Sequence, residues 1–548
     1  MHEVSILAIN DVYELDPTAG RGGLSRFATY AKELYSRNPS GMIVALPGDF
    51  YSPSALGFAP VKDADGKPNP LRGKQMVDMF NYISEITNYP GDTEPALIAT
   101  YGNHEFDLNE AMFHARVNES KFPYISSNVF STTQELANTS KFLFMTKNGI
   151  TFAILGVSTN MAQPSYISIH DRKKSIDGLR EIVNSFKAEK RKYDVLIALT
   201  HWNLEDDVVL AGAMPEIDLI MGGHEHENWY IDRGNAQHPV IIAKADSNAK
   251  TVFYHKLRFD RTKADKVKKD AEAAQAGAGE DYDYGTASKT GAFTIESVLK
   301  SLDSTVKNDP VLDTRIATWT KMGYDAYRAS NIDPSKPMAL LTTDFPVLDK
   351  IVRHEQSFVT SFCADALMKA TRMVGEQGED SLAPGLFNSG SLRIDDVLAK
   401  GPIREYDALR MWAFGGEVLR VRMTGKYLTL VLNRGQDLRG SGDYLSYNTE
   451  IFSQTSTGNW LMYGKPLDEN TLYDVSILEY MYSGTDKYFT PEEKQVEVEV
   501  IALPDGPADC QHALIEHFER VYPIPANILL SIPEYDEERI TPFPRFKF

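Results

Sequence analysis

The sequence predicts a layered α/β domain built on mixed sheets, followed by a second domain of helices and strands. Three observations support this. Short apolar, β-branched runs recur through about the first 260 residues, and each ends in a polar cluster. A charged, Ala- and Gly-rich stretch then interrupts the pattern. Beyond it, helical and strand periodicities resume without those clusters. The length, 548 residues, also asks for more than one domain, at roughly 100–200 residues each.

The apolar runs come in order. VSILAI precedes Asn10 and Asp11, MIVAL precedes Gly48 and Asp49, and ALIAT precedes Gly102, Asn103 and His104. ITFAILGVS follows, then VLIAL before His201, and DLIM before Gly222, Gly223, His224, Glu225 and His226. Continuous apolar strands imply sheets buried on both faces. In layered α/β folds, sites form beyond the carboxyl ends of such strands.

Residues 1–262 are therefore expected to form one layered domain. Residues 263–335 are expected to be a flexible insertion and a helical linker, because KADKVKKDAEAAQAGAGEDYDYGTASKT has almost no large aliphatic residue. A helical bridge is predicted around 291–325. Residues 336–548 are expected to form the second domain. There, FVTSFCADALMKATRMV has helical spacing. GEVLRVRMTGKYLTLVLNRG predicts a strand, a turn at Thr424–Gly425 and a helix. VEVEVIAL predicts a strand, and ALIEHFERVYPI a helix that stops at proline.

Composition narrows the function. The formal charge is −19, from 57 basic and 76 acidic side chains, which disfavours a nucleic-acid polymer or an anionic membrane as the main partner. No apolar run approaches the roughly 20 residues that span a bilayer. MHEVSILAIND carries no signal-peptide pattern. The default expectation is cytoplasmic, or periplasmic or secreted if a leader has been removed. The two cysteines, Cys363 and Cys510, are too isolated for a disulfide framework or a thiolate metal site.

The polar residues closing the strands are Asp11, Asp49, Asn103, His201, His224 and His226. Carboxylate, amide and imidazole donors suit Mn, Zn, Fe, Co or Ni. Six such residues exceed one tetrahedral site and suit a pair of divalent or trivalent ions about 3.5–4 Å apart, which generate hydroxide and stabilise phosphoryl charge. Taken singly, each residue has an ordinary explanation: Asp11 as a helix cap, Gly222–Gly223 as a turn, His201 as a packing residue. Jointly, five clusters at five strand ends are not explained that way.

The blocks NDVYEL, PGDFYSPS, TYGNHEFDLNE, LTHWN and GGHEHEN resemble the calcineurin-like metallophosphoesterases, and most closely the 5′-nucleotidase family. The resemblance implies that Asp49 bridges two metals. Asn103, His201 and His224 would complete one site, and Asp11 and His226 the other. It makes His104 a catalytic residue at the phosphate, oriented by Asp107. One position departs: the family places a histidine two residues after the first aspartate, and this chain has Tyr13. Tyr13 either binds a hard ferric ion as phenolate or leaves that metal with water in the gap.

The second domain resembles the α+β C-terminal domain of the same family. LFNSGSLRIDD, MWAFGGEVLRVRMTG and EYMYSGTDKYF align Asn388, Arg393, Phe414, Tyr480 and Asp486 with its substrate residues. Two aromatic faces would stack a base, and Asp486 would accept from ribose hydroxyls. Lys487 and Ser391 replace glycines of the family pattern, and the segment around Arg353 matches it only loosely. The implied activity is metal-dependent hydrolysis of phosphate esters, foremost nucleoside 5′-monophosphates. Alternatives are 2′,3′-cyclic nucleotides, nucleotide sugars or other organic phosphates, or a non-catalytic nucleotide-binding relative.

Overall fold

The computed structural model describes residues 2–161, 163–234, 240–259, 281–289, 293–375, 380–484 and 488–532. These form two compact units. One runs through Gly57 and from Asp63 to Gly323; the other takes Phe58–Lys62 and the described residues from Tyr324 to Ile532.

In the first unit, each apolar run named above becomes a strand. His2–Ala8, Met42–Pro47 and Leu97–Thr100 lie side by side and parallel, with Ser5 opposite Met42 and Val44 opposite Leu97. Thr251–Phe259 joins them antiparallel, pairing Phe259 with His2, so this eight-stranded sheet is mixed. The second sheet has six strands. Ile150–Ser158, Val195–His201, Leu219–Gly222 and Ile241–Lys244 run parallel within it.

The alternation of strand side chains decides the core. Val4, Ile6, Ala8, Ile43, Ala45 and Ile98 from the first sheet meet Ile154, Ile197, Leu199 and Met221 from the second in one buried cluster. The opposite face of the second sheet is covered by the helices Arg172–Ala188 and Leu204–Ala213, through Leu179, Val183, Phe186 and Leu210. The helix Lys74–Thr87 buries Met76, Met79, Phe80 and Ile83 beside the first sheet. Burial on both faces is why these strands read as unbroken apolar runs.

The expected insertion over 263–280 lies outside the described residues, and the segment from Tyr282 departs from the expected helical bridge. Tyr282–Lys289 and Phe293–Ser301 are strands that extend the first sheet beyond Thr251–Phe259. Ile295, Ser297 and Leu299 are buried on one face, alternating with half-buried Glu296 and Val298; Ile295 and Leu299 alone, four residues apart, suit a helix as well as a strand. The helix begins only at Pro310 and runs to Arg328.

The second unit centres on a six-stranded sheet. Leu445–Tyr447, Gly385–Asn388, Leu472–Leu478, Glu417–Thr424 and Glu499–Ile501 follow in that spatial order, and the sixth strand, Ala508–Asp509, also pairs with Glu417–Thr424. The predicted turn at Thr424–Gly425 is a direct switch from strand to the helix Gly425–Asp437, capped by the Thr424 side chain accepting from Tyr427 N at 3.3 Å. The helices Phe358–Ala370 and Cys510–Val521 pack together. VEVEVIAL is only partly a strand, because its first residues finish the helix Pro491–Glu497.

His255 lies fully buried in the first sheet, with Nδ1 2.9 Å from Ser297 Oγ. Burial pushes its pKa down to about 3. The folded protein therefore binds fewer protons than the unfolded chain between about pH 6.5 and pH 3, and stability falls as pH drops through that window. This group contributes about 1.4 kcal/mol per pH unit there. His255→Gln keeps a polar partner for Ser297 without titrating. We expect a shallower loss of stability on the acid side in urea titrations across that range; an unchanged slope contradicts the assignment.

Candidate metal centre and substrate residues

The three parallel strands of the first sheet end together, as do those of the second. The first sheet delivers the oxygen donors Asp11, Asp49 and Asn103. The second delivers His201 at its own strand end and His224 just beyond Leu219–Gly222. His226 follows in the same loop.

The backbone is bent sharply to turn these side chains inward. Asp11, Asp49, His224 and His226 have φ of 52°, 56°, 91° and 60°, a region costly for residues with a Cβ and typical of functional sites. Close approach also demands glycine. A Cβ on Gly102 would fall 2.1 Å from Asp49 Oδ1, and one on Gly48 (φ 81°) would fall 2.4 Å from Gly102 N.

Asp11, Asp49 and His201 are buried and converge on one point. His201 Nε2 lies 3.0 Å from Asp49 Oδ2 and 3.9 Å from Asp11 Oδ1. Its Nδ1 is 2.7 Å from Pro47 O, which fixes the ring. His226 Nε2 lies 3.4 Å from Asp11 Oδ1. The His224 amide donates to Asp11 Oδ2 at 2.8 Å, and the rings of His201 and His224 sit 5.2 Å apart.

Electrostatics mark the cluster as a trap for positive charge. Burial is the largest single influence on Asp11 and Asp49 and would raise both pKa values, but His201, with His226 and Asn10 at Asp11 and with His104 at Asp49, together outweigh it, so both are held below the usual carboxylate range. Burial would lower His201, yet Asp49 and Asp11 lift it to about 9. Burial, then His201, push His224 down to about 3, leaving its imidazole neutral with a lone pair to donate.

One buried atom tests whether a metal fits. Asn103 Oδ1 has no hydrogen-bond partner, and leaving such an atom unpaired is costly in a folded protein. His201 Nε2 meets the Asp49 carboxylate at 3.0 Å, where a cation can take the place of its proton. The donor set fits a cation.

His104 and Asp107 fall in one short 3₁₀ turn, His104–Asp107. His104 Nδ1 is 2.8 Å from Asp107 Oδ2, which also accepts from Ser52 Oγ at 2.9 Å. The His104 amide donates to Asp49 Oδ1 at 2.7 Å, so the imidazole is tied to the acid cluster through the backbone.

Tyr13 is turned into the cluster. Its hydroxyl lies 3.0 Å from His226 Nε2, 3.2 Å from Asp11 Oδ1 and 3.3 Å from Asp49 Oδ2.

Sequence reasoning missed the supports. Glu105 is fully buried. It accepts from Asp49 N at 2.8 Å, Phe50 N at 2.7 Å, Tyr51 N at 3.1 Å and Gly102 N at 2.5 Å. Asn248 Oδ1 accepts from Tyr13 N at 2.9 Å and Glu14 N at 3.1 Å, setting the loop after the first strand. Lys244 donates to Gly223 O at 2.8 Å and Trp202 O at 2.6 Å, pairs with Asp207 at 3.0 Å, and also bonds Glu225. The place of Glu105 directly after His104 and a lysine closing VIIAK were the available signals; Asn248 offered none.

In the second unit, the register gathers the candidate substrate residues at one sheet edge. Gly385–Asn388 and Leu472–Leu478 are parallel, with Leu386 opposite Ile477, so Asn388 and Tyr480 leave the sheet at the same end. Glu417–Thr424 is antiparallel, with Val418 opposite Leu478, so Phe414 enters there too. Phe414 and Tyr480 are 44% and 47% exposed, unlike core aromatics such as Trp412 at 2%. The Arg393 guanidinium lies 5.7 Å from the centre of the Phe414 ring. Asn388 Oδ1 accepts from Ser391 Oγ at 2.5 Å. Arg353 pairs with Asp349. Asp486 lies outside the described residues.

Fold and site together define a metal-dependent hydrolase of phosphate esters. Residues 4–228 match the calcineurin-like phosphoesterase family, and residues 341–492 match the 5′-nucleotidase C-terminal domain. The chain belongs to the 5′-nucleotidase family of calcineurin-like metallophosphoesterases. It is 22% identical over 422 residues to Protein UshA of Yersinia enterocolitica, covering 71% of each chain. It is 21% identical over 415 residues to a 5′-nucleotidase of Vibrio vulnificus, again covering 71% of each. The crystal structure of a 5′-nucleotidase precursor from Thermus thermophilus shares the fold, with TM-score 0.65 and 16% identity, covering 95% of this chain and 97% of that one. The sulfate thiohydrolase SoxB of Thermus thermophilus also shares it, with TM-score 0.59 and 13% identity over 95% and 94% of the two chains. Among the described residues, no helix is long and apolar enough to cross a membrane.

Lys244 is 1% exposed between Asp207 and Glu225. Lys244→Met leaves those carboxylates without their cation. A loss of about 3–5 kcal/mol is expected for breaking one side of a buried pair, read as a lower urea midpoint. An unchanged midpoint would show that the network contributes little.

Proposed function

We propose that the protein hydrolyses nucleoside 5′-monophosphates to nucleoside and phosphate with two bound metal ions. The observation that carries this reading is the convergence of Asp11, Asp49 and His201, together with the unpartnered buried oxygen of Asn103. Asp49 would serve both metals, Asn103, His201 and His224 would hold one, and Asp11 and His226 would hold the other. Bound there, the cations supply Lewis acidity, lowering the pKa of water and neutralising charge on the phosphoryl group.

The protein's own residues do the rest. His104 Nε2 points away from the Nδ1 that Asp107 holds, so it can meet a phosphoryl oxygen or the leaving oxygen. As a donor, it stabilises developing charge and passes a proton to the departing ribose oxygen. Asp107 positions it. On this reading the first unit, which runs to Gly323 rather than stopping at residue 262, is catalytic, and the second unit carries recognition. Phe414 and Tyr480 stack the base, Asn388 and Arg393 hydrogen-bond the nucleotide, and Asp486 takes the ribose. The likeness to proteins named 5′-nucleotidase supports the choice of substrate.

EDTA-sensitive phosphate release from AMP with Mn²⁺ is the expected result. His104→Ala should lower kcat by about 10²–10⁴ while the protein keeps its metals by elemental analysis. Absence of release from every monophosphate in metal-replete protein would overturn the reading. Phe414→Ala tests recognition separately. It should raise KM for AMP about tenfold, the scale of one lost stacking contact, and leave KM for p-nitrophenyl phosphate unchanged. Equal effects on both substrates would remove Phe414 from base recognition.

A further inference from the structure

Tyr13 replaces the histidine expected in the first motif, and its surroundings decide between the two roles the sequence leaves open. The ring is buried, 6% exposed. Its hydroxyl oxygen, Asp11 Oδ1, Asp49 Oδ2 and His226 Nε2 make four short contacts of 3.0, 3.2, 3.3 and 3.4 Å. At most two protons, one on the phenol and one on His226 Nε2, are available to bridge them. The phenol proton is then shared between Asp11 and Asp49 at 3.2 and 3.3 Å, longer than the about 2.5–3.0 Å usual for O–H···O hydrogen bonds.

A shared cation satisfies all four donor atoms at once. Donors held about 2.0–2.2 Å from one ion lie about 2.9–3.5 Å apart in octahedral or tetrahedral arrangements. All four distances fall in that range.

We propose that Tyr13 is itself a metal ligand, forming with Asp11, Asp49 and His226 a site selective for a trivalent cation, ferric iron foremost. This deepens the two-metal reading and rests on it. On coordination the phenol loses its proton to solvent as its oxygen bonds the ion. The site then offers three anionic oxygens and one imidazole. Hard oxygen donors favour hard cations, and three negative charges, one shared with the second ion, match a charge of three better than two. A histidine here would supply one anion fewer and suit a divalent ion.

The test uses the full chain stripped of metal and reloaded with Fe³⁺, followed by elemental analysis and visible absorption. The expected result is one bound iron with a phenolate-to-iron charge-transfer band and tyrosinate modes in resonance Raman spectra. Tyr13→Phe should abolish the band and release iron at least tenfold faster. Tyr13→His, which restores a donor, should bind Mn²⁺ and show no band. Iron bound without the band, a band that survives in Tyr13→Phe, or failure to bind Fe³⁺ would each overturn the proposal. Phosphate release with Mn²⁺ reports separately on the two-metal reading. An active protein without the band defeats this inference and leaves that reading standing.

Discussion

Glu105 lies buried beneath the metal centre, and its two oxygens collect the amides of Asp49, Phe50, Tyr51 and Gly102. Those four donors belong to the loops after the second and third strands, which carry Asp49 and Asn103. One carboxylate thus sets the spacing between two oxygen donors of the site. Burial, then the nearby Asp49 charge, push Glu105 up to about 7, against backbone donors that favour its ionised form. A cation beside Asp49 offsets part of that repulsion, so ion binding and loop geometry support each other.

The same logic runs through the second sheet. Lys244 ties the loop that presents His224 and His226 to the helix Leu204–Ala213 through Gly223, Glu225 and Asp207. Oxygen donors come from one sheet and imidazoles from the other, each on a strand locked by a buried core. The positive φ values at four of the six donors persist because the strands leading into them are rigid. In the second unit the arrangement differs. The sheet edge that gathers Asn388, Phe414 and Tyr480 leaves two aromatic rings exposed, where a planar base gains most from stacking.

Much of this was legible in the sequence, for definite reasons. Strands buried on both faces leave unbroken apolar runs, and their polar ends must be doing something other than packing. The cluster of Asp11, Asp49 and His201 follows from that rule. The strand Phe293–Ser301 was harder to read. It sits near the sheet edge with a half-buried face, and its alternation was hidden behind the charged stretch before it. Asn248 was invisible because its work is to accept two backbone amides, which leaves no pattern in sequence. Tyr13 was legible as a departure but not in its consequence, which depends on distances to three other side chains.

The central claim is that strand ends from two sheets hold a pair of metal ions with Asp49 serving both. Counting ions tests it most directly. Equilibrium dialysis of the metal-stripped full chain against Mn²⁺, followed by elemental analysis, should give two ions per chain. Asp49→Asn should reduce that to fewer than one, because both sites lose their shared carboxylate. Two ions retained by Asp49→Asn, with the same affinity as the parent chain, would contradict the account.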